Sequence, residues 1–153
     1  MNSVSIVFSF RNEEKNLKEL VSRVDAVFKK LEKWKYELIF VNDDSNDSSE
    51  KILEDLQQSF KIKIVNMSRT FGVAPCVLAG FKYSSGDCVI YMDSDLQDPP
   101  EVIPDLLNEF DKGYDVVHTV RNKRLGESGI RLFFTKLAYK IINSLSEIDL
   151  PIE

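Results

Sequence analysis

Short apolar runs of strand length alternate along this chain with segments whose apolar residues recur at helical spacing, and that alternation leaves few folds open. Ser3 to Phe10, Tyr36 to Val41, Ile62 to Met67, Cys88 to Met92 and Asp115 to Val120 read as five strands. Between them Leu17, Leu20, Val21, Val24, Phe28 and Leu31 share one helical face, as do Ile52, Leu53 and Leu56, and then Val102, Ile103, Leu106, Leu107 and Phe110. Asn12 stands before the first helix, Asp47 or Ser48 before the second, and Pro99-Pro100 enters the last, which Gly113 closes. A further helix fits Pro75 to Tyr83, ended by Ser84-Ser85-Gly86-Asp87. Strands that are apolar along their length are covered on both faces. The class is therefore α/β, a mainly parallel sheet flanked by helices with right-handed crossovers. His118 falls inside the fifth strand and reads as a core or rim residue.

The 153 residues suit one domain that buries its core without disulfides or structural metal. Cys76 and Cys88 have no partnering Cys/His cluster, which points to a reduced, cytosolic setting. Apolar runs such as Val4 to Phe8 fall far short of the roughly 18 residues of a membrane span, and Met1-Asn2-Ser3 leads directly into the first strand, so the stretch reads as soluble and unexported. A net charge of −5 argues against a nucleic-acid binder. The charge is uneven, however. Between residues 121 and 140, Arg121, Lys123, Arg124, Arg131, Lys136 and Lys140 face only Glu127, so an anionic partner is expected at that end. Residues 130 to 145 are apolar nearly all round with basic residues interspersed. Such a helix can lie in a bilayer interface, or pack on the sheet or against a second subunit in a homo-oligomer.

In parallel α/β sheets ligands bind beyond the carboxyl ends of the strands, and the polar residues of this chain concentrate in those loops. No loop carries the glycine pattern of a dinucleotide-binding turn or a Gly-Lys-Ser/Thr phosphate cradle. An anionic ligand would instead meet carboxylates, a conflict that a divalent cation resolves. Asp93 and Asp95 leave the fourth strand as Asp-x-Asp, hard oxygen donors at a spacing that suits Mg²⁺ or Mn²⁺, with Gln97 and Asp98 close enough to join or orient the shell. An acidic strand-to-helix loop can equally do no more than cap the helix that follows.

Read together, the loops resemble an established family. Phe10-Arg11-Asn12-Glu13-Glu14 resembles the x-Tyr-Asn-Glu-Glu that ends strand one of inverting family-two glycosyltransferases with the GT-A, Rossmann-like fold. Val41-Asn42-Asp43-Asp44-Ser45-Asn46-Asp47 resembles their Val-Asp-Asp-Gly-Ser-Thr-Asp. Met67-Ser68-Arg69-Thr70-Phe71-Gly72 and Met92-Asp93-Ser94-Asp95-Leu96-Gln97-Asp98-Pro99-Pro100-Glu101 are similar to the Leu-Ser-Arg-Asn-Phe-Gly and Met-Asp-Ala-Asp-Leu-Gln-Asp-Pro-Pro-Glu of the polyprenyl-phosphate branch, that of dolichyl-phosphate mannose synthases and undecaprenyl-phosphate sugar transferases. Four departures stand out: Ser9 replaces the usual Pro, Arg11 the Tyr, Asp44 the Gly, and Val73-Ala74-Pro75-Cys76 the common Lys-Glu-Ala-Ala helix start.

The resemblance implies metal-dependent, inverting transfer of a sugar from a nucleotide-sugar donor, UDP ahead of GDP, to a polyprenyl phosphate at the cytoplasmic face of a membrane. It implies that Glu13 and Asp43 hold the nucleoside, Asp43 by accepting from the uracil or guanine ring. Arg69 would face the diphosphate or sugar, Asp93 the ribose and diphosphate, and Asp95 and Gln97, with Asp93, the metal. Arg121, Arg124 and Arg131 resemble the cationic set that holds the acceptor phosphate, with Arg121 the closest to the chemistry. Local readings compete at each position: helix-dipole stabilisation for Glu13, an Asx turn for Asp43, a surface salt bridge for Arg69 and a solvated basic face for the three arginines. Ile148 to Glu153 resembles the lead into a further Gly-Asp-Phe-Arg motif, so residues 1 to 153 read as a single GT-A domain, the N-terminal part of a longer protein with C-terminal membrane helices. Two other functions fit parts of the pattern. One is a nucleotide-sugar-binding domain without turnover. The other is a haloacid-dehalogenase-like phosphohydrolase, although that family places its Asp-x-Asp after the first strand.

Overall fold

Val4, Ile6, Phe8 and Phe10 alternate with Ser5, Val7 and Ser9 along β1 (Asn2–Phe10), and this strand has a neighbour on each side. The computed structural model of the chain describes residues 2–119. Among them β2 (Trp34–Asn42), β3 (Ile62–Asn66) and β4 (Cys88–Asp93) join β1 in a parallel sheet of order β3-β2-β1-β4. The register sets Phe8 beside Phe40 and Met92, Ser9 beside Asp93, and Phe10 beside Asn42. The chain divides into two compact units, Met1–Tyr114 and Asp115–Glu153, and the sheet lies in the first.

One face of the sheet is apolar from end to end. Ile6, Phe8, Leu38, Phe40 and Met92 pack there against α1 (Leu17–Phe28), α2 (Ser49–Leu56) and α4 (Ile103–Asp111), the last entered through a 3-10 turn at Pro100–Val102. Phe8 and Phe40 stack with ring centres 4.9 Å apart. At about 1.5–3 kcal/mol for each fully buried large side chain, this layer dominates the stability of the unit. The other face meets only α3 (Val73–Tyr83) among the described helices, through Val7, Ile39, Val41 and Cys76.

Three expectations are corrected. Asp115 to Thr119 form no strand, Val116 is 83 % exposed and His118 is exposed instead of core. Two valines among Asp115, His118 and Thr119 supply β-propensity without a paired edge to realise it. The first helix begins at Leu17 after Asn16, not after Asn12, because Asn12 sits at φ +59° and ties the first loop to the second. Its amide donates to Ser45 Oγ at 3.1 Å, and its Oδ1 accepts from the Asn46 amide at 2.9 Å. The third helix starts at Val73, two residues early, with Pro75 accommodated in the first turn. Residue 120 and the basic segment beyond it, including Arg121, Arg124, Arg131 and the apolar stretch 130–145, lie outside the described residues.

Candidate functional site

From β1 the chain crosses outward to β2 and β3, then returns to place β4 on β1's free edge, so the strand order reverses between β1 and β4. Loops diverge at such a point and leave a crevice. A cleft of about 320 Å³ opens there, lined by Ser9, Phe10, Arg11 and Glu13 from the end of β1, Asp43 from β2, Val73 and Cys76 from α3, and Asp93, Ser94 and Asp95 from β4. Four of the expected site residues therefore share one cavity: Glu13, Asp43, Asp93 and Asp95.

Asp43 is 7 % exposed. Its Oδ1 accepts from the Phe71 amide at 2.7 Å and its Oδ2 from the Gly72 amide at 2.9 Å. Burial pushes its pKa up, but those two amides, the Cys76 thiol and the Arg11 charge outweigh it and hold the carboxyl below its ordinary value. The same neighbourhood raises Cys76 to about 11, by burial and by the adjacent carboxylate, so the thiol stays protonated at neutral pH. Gly72, at φ +86°, makes the turn that aims both amides at Asp43. Glu13 precedes α1: its amide donates to Ser49 Oγ at 2.8 Å and its Oε2 accepts from Asn16 Nδ2 at 2.6 Å.

At the end of β4, Asp93 Oδ1 accepts from the Tyr91 hydroxyl at 2.6 Å, and Asp95 Oδ1 accepts from the Gln97 amide at 2.9 Å. Ser94 is buried and its Oγ donates to the Ser9 carbonyl at 2.9 Å, which fixes the Asp-x-Asp segment to the end of β1. Leu96 follows at φ +65°, a strained conformation for a branched side chain. Arg69 and Gln97 are exposed and do not line the cleft: the Arg69 guanidinium lies 4.9 Å from the Phe71 ring centre, and Gln97 serves Asp95 with its backbone. Arg121, Arg124 and Arg131 lie outside the described residues. The loops also bring in Arg11, Ser9, Ser94 and Cys76, which the sequence reading did not place in the site. Ser9 and Arg11 were visible there as departures from the motif.

Residues 5–146 match the family Glycosyl transferase family 2. The chain belongs to that family. An uncharacterized glycosyltransferase from Synechocystis is 45 % identical over 149 residues, 97 % of this chain and 46 % of that protein. The undecaprenyl-phosphate 4-deoxy-4-formamido-L-arabinose transferase of Proteus mirabilis is 40 % identical over 148 residues, 95 % of this chain and 43 % of that one. The chain thus spans a little under half the length of the curated relatives it matches. Among solved structures, glucosyl-3-phosphoglycerate synthase from Mycobacterium tuberculosis, in complex with Mn²⁺, uridine diphosphate and phosphoglyceric acid, superposes with a TM-score of 0.67 at 22 % identity. The match covers 94 % of this chain and 49 % of that one. The expected GT-A, Rossmann-like architecture stands, and the phosphohydrolase alternative gives way to the glycosyltransferase family.

Proposed function

We propose that this chain is the donor-binding catalytic domain of an inverting glycosyltransferase. It would move a sugar from a nucleoside diphosphate, uridine ahead of guanosine, to a polyprenyl phosphate at the cytoplasmic face of a membrane. The observation that carries the reading is the convergence of Glu13, Asp43, Asp93 and Asp95 on one cleft where the strand order reverses. The Proteus relative, whose name includes undecaprenyl phosphate, supports the acceptor class, and the mycobacterial structure with Mn²⁺ and uridine diphosphate supports the donor class.

Asp43 is held ionised, and with the two amides and the Cys76 thiol on its oxygens one acceptor position remains, so it can take a ring N–H of a nucleobase. Glu13 closes the ribose side. Asp93 and Asp95 fit a divalent cation: both line the cleft, and among the described residues neither Asp93 Oδ2 nor Asp95 Oδ2 accepts a hydrogen bond. Mg²⁺ and Mn²⁺ are commonly held by one or two carboxylates with substrate phosphates completing the shell. When bound, the cation would neutralise the diphosphate and stabilise the charge that develops on it as the sugar departs. Arg11, the one basic residue in the cleft lining among the described residues, would face the same anion. A phosphate monoester acceptor, with a second pKa near ~6, is already nucleophilic at pH 7, so positioning by Arg121, Arg124 and Arg131 would replace a strong base. Donor binding without turnover by residues 1–153 alone is the second reading, favoured by a span of less than half of each relative.

Thermal shift with uridine and guanosine diphosphates, in Mn²⁺ and in EDTA, tests the donor site. Stabilisation is expected only with the metal, and Asp95→Ala should abolish that component. Equal shifts in EDTA would overturn the metal role. Transfer of radiolabelled sugar to undecaprenyl phosphate by a longer protein separates turnover from binding.

A further inference from the structure

We propose that Ser9 and Tyr91 form a positioning pair that fixes the Asp93 carboxylate, so that hydroxyls on two adjacent strands set the geometry of the donor's metal site. The inference rests on the donor-site reading above. Ser9 is the register partner of Asp93, and Tyr91 lies two residues before Asp93, on the same face of β4. The Tyr91 hydroxyl is 2.6 Å from Asp93 Oδ1, and Ser9 Oγ is 3.2 Å from the Tyr91 oxygen. An ionised carboxylate only accepts, so the Tyr91 proton points to Asp93 and the Tyr91 oxygen accepts from Ser9. The chain of donors therefore has one direction. Ser9 holds the same segment a second way, through its carbonyl, which accepts from Ser94 Oγ at 2.9 Å.

A carboxylate at the end of a short side chain turns freely about its last torsion unless something pins it. Here Oδ1 is pinned, and Oδ2 is the oxygen without a hydrogen bond among the described residues. Tyr91 packs against the cluster that holds Val7 and Cys76, which anchors the hydroxyl. Ring and hydroxyl thus have separable roles, and Tyr91→Phe keeps the first while removing the second. Ser9 stands where the family motif has proline, a residue with no hydroxyl to donate, so the departure at position 9 acquires a physical account.

The test uses the full 153-residue chain, with uridine diphosphate titrated calorimetrically at a series of fixed Mn²⁺ concentrations to give the Mn²⁺ affinity, and melting followed in parallel. Groups that hold a metal-ligating carboxylate typically cost 10–100-fold in metal affinity when removed. Tyr91→Phe is expected to weaken Mn²⁺ binding by about tenfold while leaving the melting curve unchanged. Ser9→Ala should weaken it less, and Ser9→Thr, which restores a hydroxyl, should recover it. If Tyr91→Phe also lowers melting, the Ser9→Ala and Ser9→Thr comparison decides. Wild-type Mn²⁺ affinity in both Tyr91→Phe and Ser9→Ala would overturn the pair. Asp95→Ala separates the two levels. If it abolishes Mn²⁺ binding while the hydroxyl variants do not, only the pair fails; if it too leaves binding intact, the donor-site reading fails.

Discussion

The two ends of β2 each carry a buried carboxylate on the face that α3 covers, and the two are built to opposite purposes. At the base of the sheet Glu37, 3 % exposed, accepts through Oε1 from Ser5 Oγ at 2.7 Å and from both the amide and the hydroxyl of Ser85 at 2.8 Å. Lys63 Nζ lies 3.0 Å from Oε2, within ion-pair reach though not aligned as a hydrogen bond, and also donates to the Tyr83 carbonyl at 3.1 Å. At the carboxyl end Asp43 takes the amides of Phe71 and Gly72. One carboxylate thus holds the turn after α3 and the other the turn before it. The surroundings differ: Glu37 is closed in, with three donors on Oε1 and the Lys61 and Lys63 ammonium groups beside Oε2, whereas Asp43 lines an open cleft. Backbone strain divides the same way. Among the described residues the non-glycine positions with positive φ are Asn12, Asp44 and Leu96, in the loops after β1, β2 and β4. Strain of that kind collects where function holds the chain in place. The base of the sheet is optimised for stability, and the carboxyl end has given some of it up.

The largest expected effect is at the base. A Cβ at Gly86 would lie 2.6 Å from the Ser5 amide nitrogen and 2.8 Å from the Val4 carbonyl carbon, backbone atoms that cannot step aside. Gly86→Ala should cost about 3 kcal/mol in chemical denaturation. Gly72→Ala at the other end meets nothing within 4 Å and should cost only the backbone penalty of a φ +86°, ψ 175° conformation essentially reserved for glycine, about 1–3 kcal/mol. A reversed order would break the contrast between the two ends.

Glu37 comes next, and its signature is pH. Burial raises its pKa, but Ser5, Ser85 and Lys63 together hold it down to about 2, against an ordinary 4.5. Folding therefore favours the ionised form. Its contribution is complete above pH 4.5 and disappears as pH falls from there toward 2. The shift corresponds to at most about 3 kcal/mol. Glu37→Gln should lose about that much at pH 7, with the gap to wild type closing across that acid window. Parallel stability curves for the two proteins between pH 5 and 2 would remove the ion from the account.

Much of this was legible in the residues, and what was not has a common cause. The β1 to β4 runs and the apolar faces of α1, α2 and α4 follow local periodicity, and Glu13, Asp43, Asp93 and Asp95 stand out in the loops at the carboxyl ends of those runs. Nothing in the Tyr36 to Val41 run marks Glu37, because its partner Ser85 is 48 residues away. Ser9 and Tyr91 meet across 82 residues, and nothing local in either signals the other. The fifth strand failed for the converse reason: Val116 and Val117 have local propensity, but a strand exists only by pairing.

Asp43 should respond less in stability than Glu37 and more in binding. Asp43→Asn sets one side-chain NH₂ against an amide donor, Phe71 or Gly72, and should cost about 1–2 kcal/mol. Uridine diphosphate affinity in Mn²⁺ should fall at least about tenfold, the loss of a charge-assisted bond. A variant that binds normally would show that Asp43 serves the α3 turn alone, as Glu37 does.

The smallest effect is the most direct probe of the strained end. Asp44 holds φ +61°, and its Oδ2 is 3.5 Å from Thr70 Oγ1, at the outer limit of a hydrogen bond, so little is lost with the carboxylate. Glycine adopts that conformation freely, which relieves about 1–2 kcal/mol, but it is also less restricted in the unfolded chain, which returns about 0.5–1 kcal/mol. Asp44→Gly should therefore raise stability by about 0.5 kcal/mol, read as a higher denaturation midpoint at unchanged slope. If the strain holds the β2 loop in its donor-binding shape, the same variant should bind uridine diphosphate in Mn²⁺ more weakly, because the loop must then be ordered by the ligand. A variant both more stable and equally tight would mean that the strain at Asp44 is incidental to binding. A less stable one would mean that the carboxylate makes a contribution at this end larger than the 3.5 Å contact accounts for.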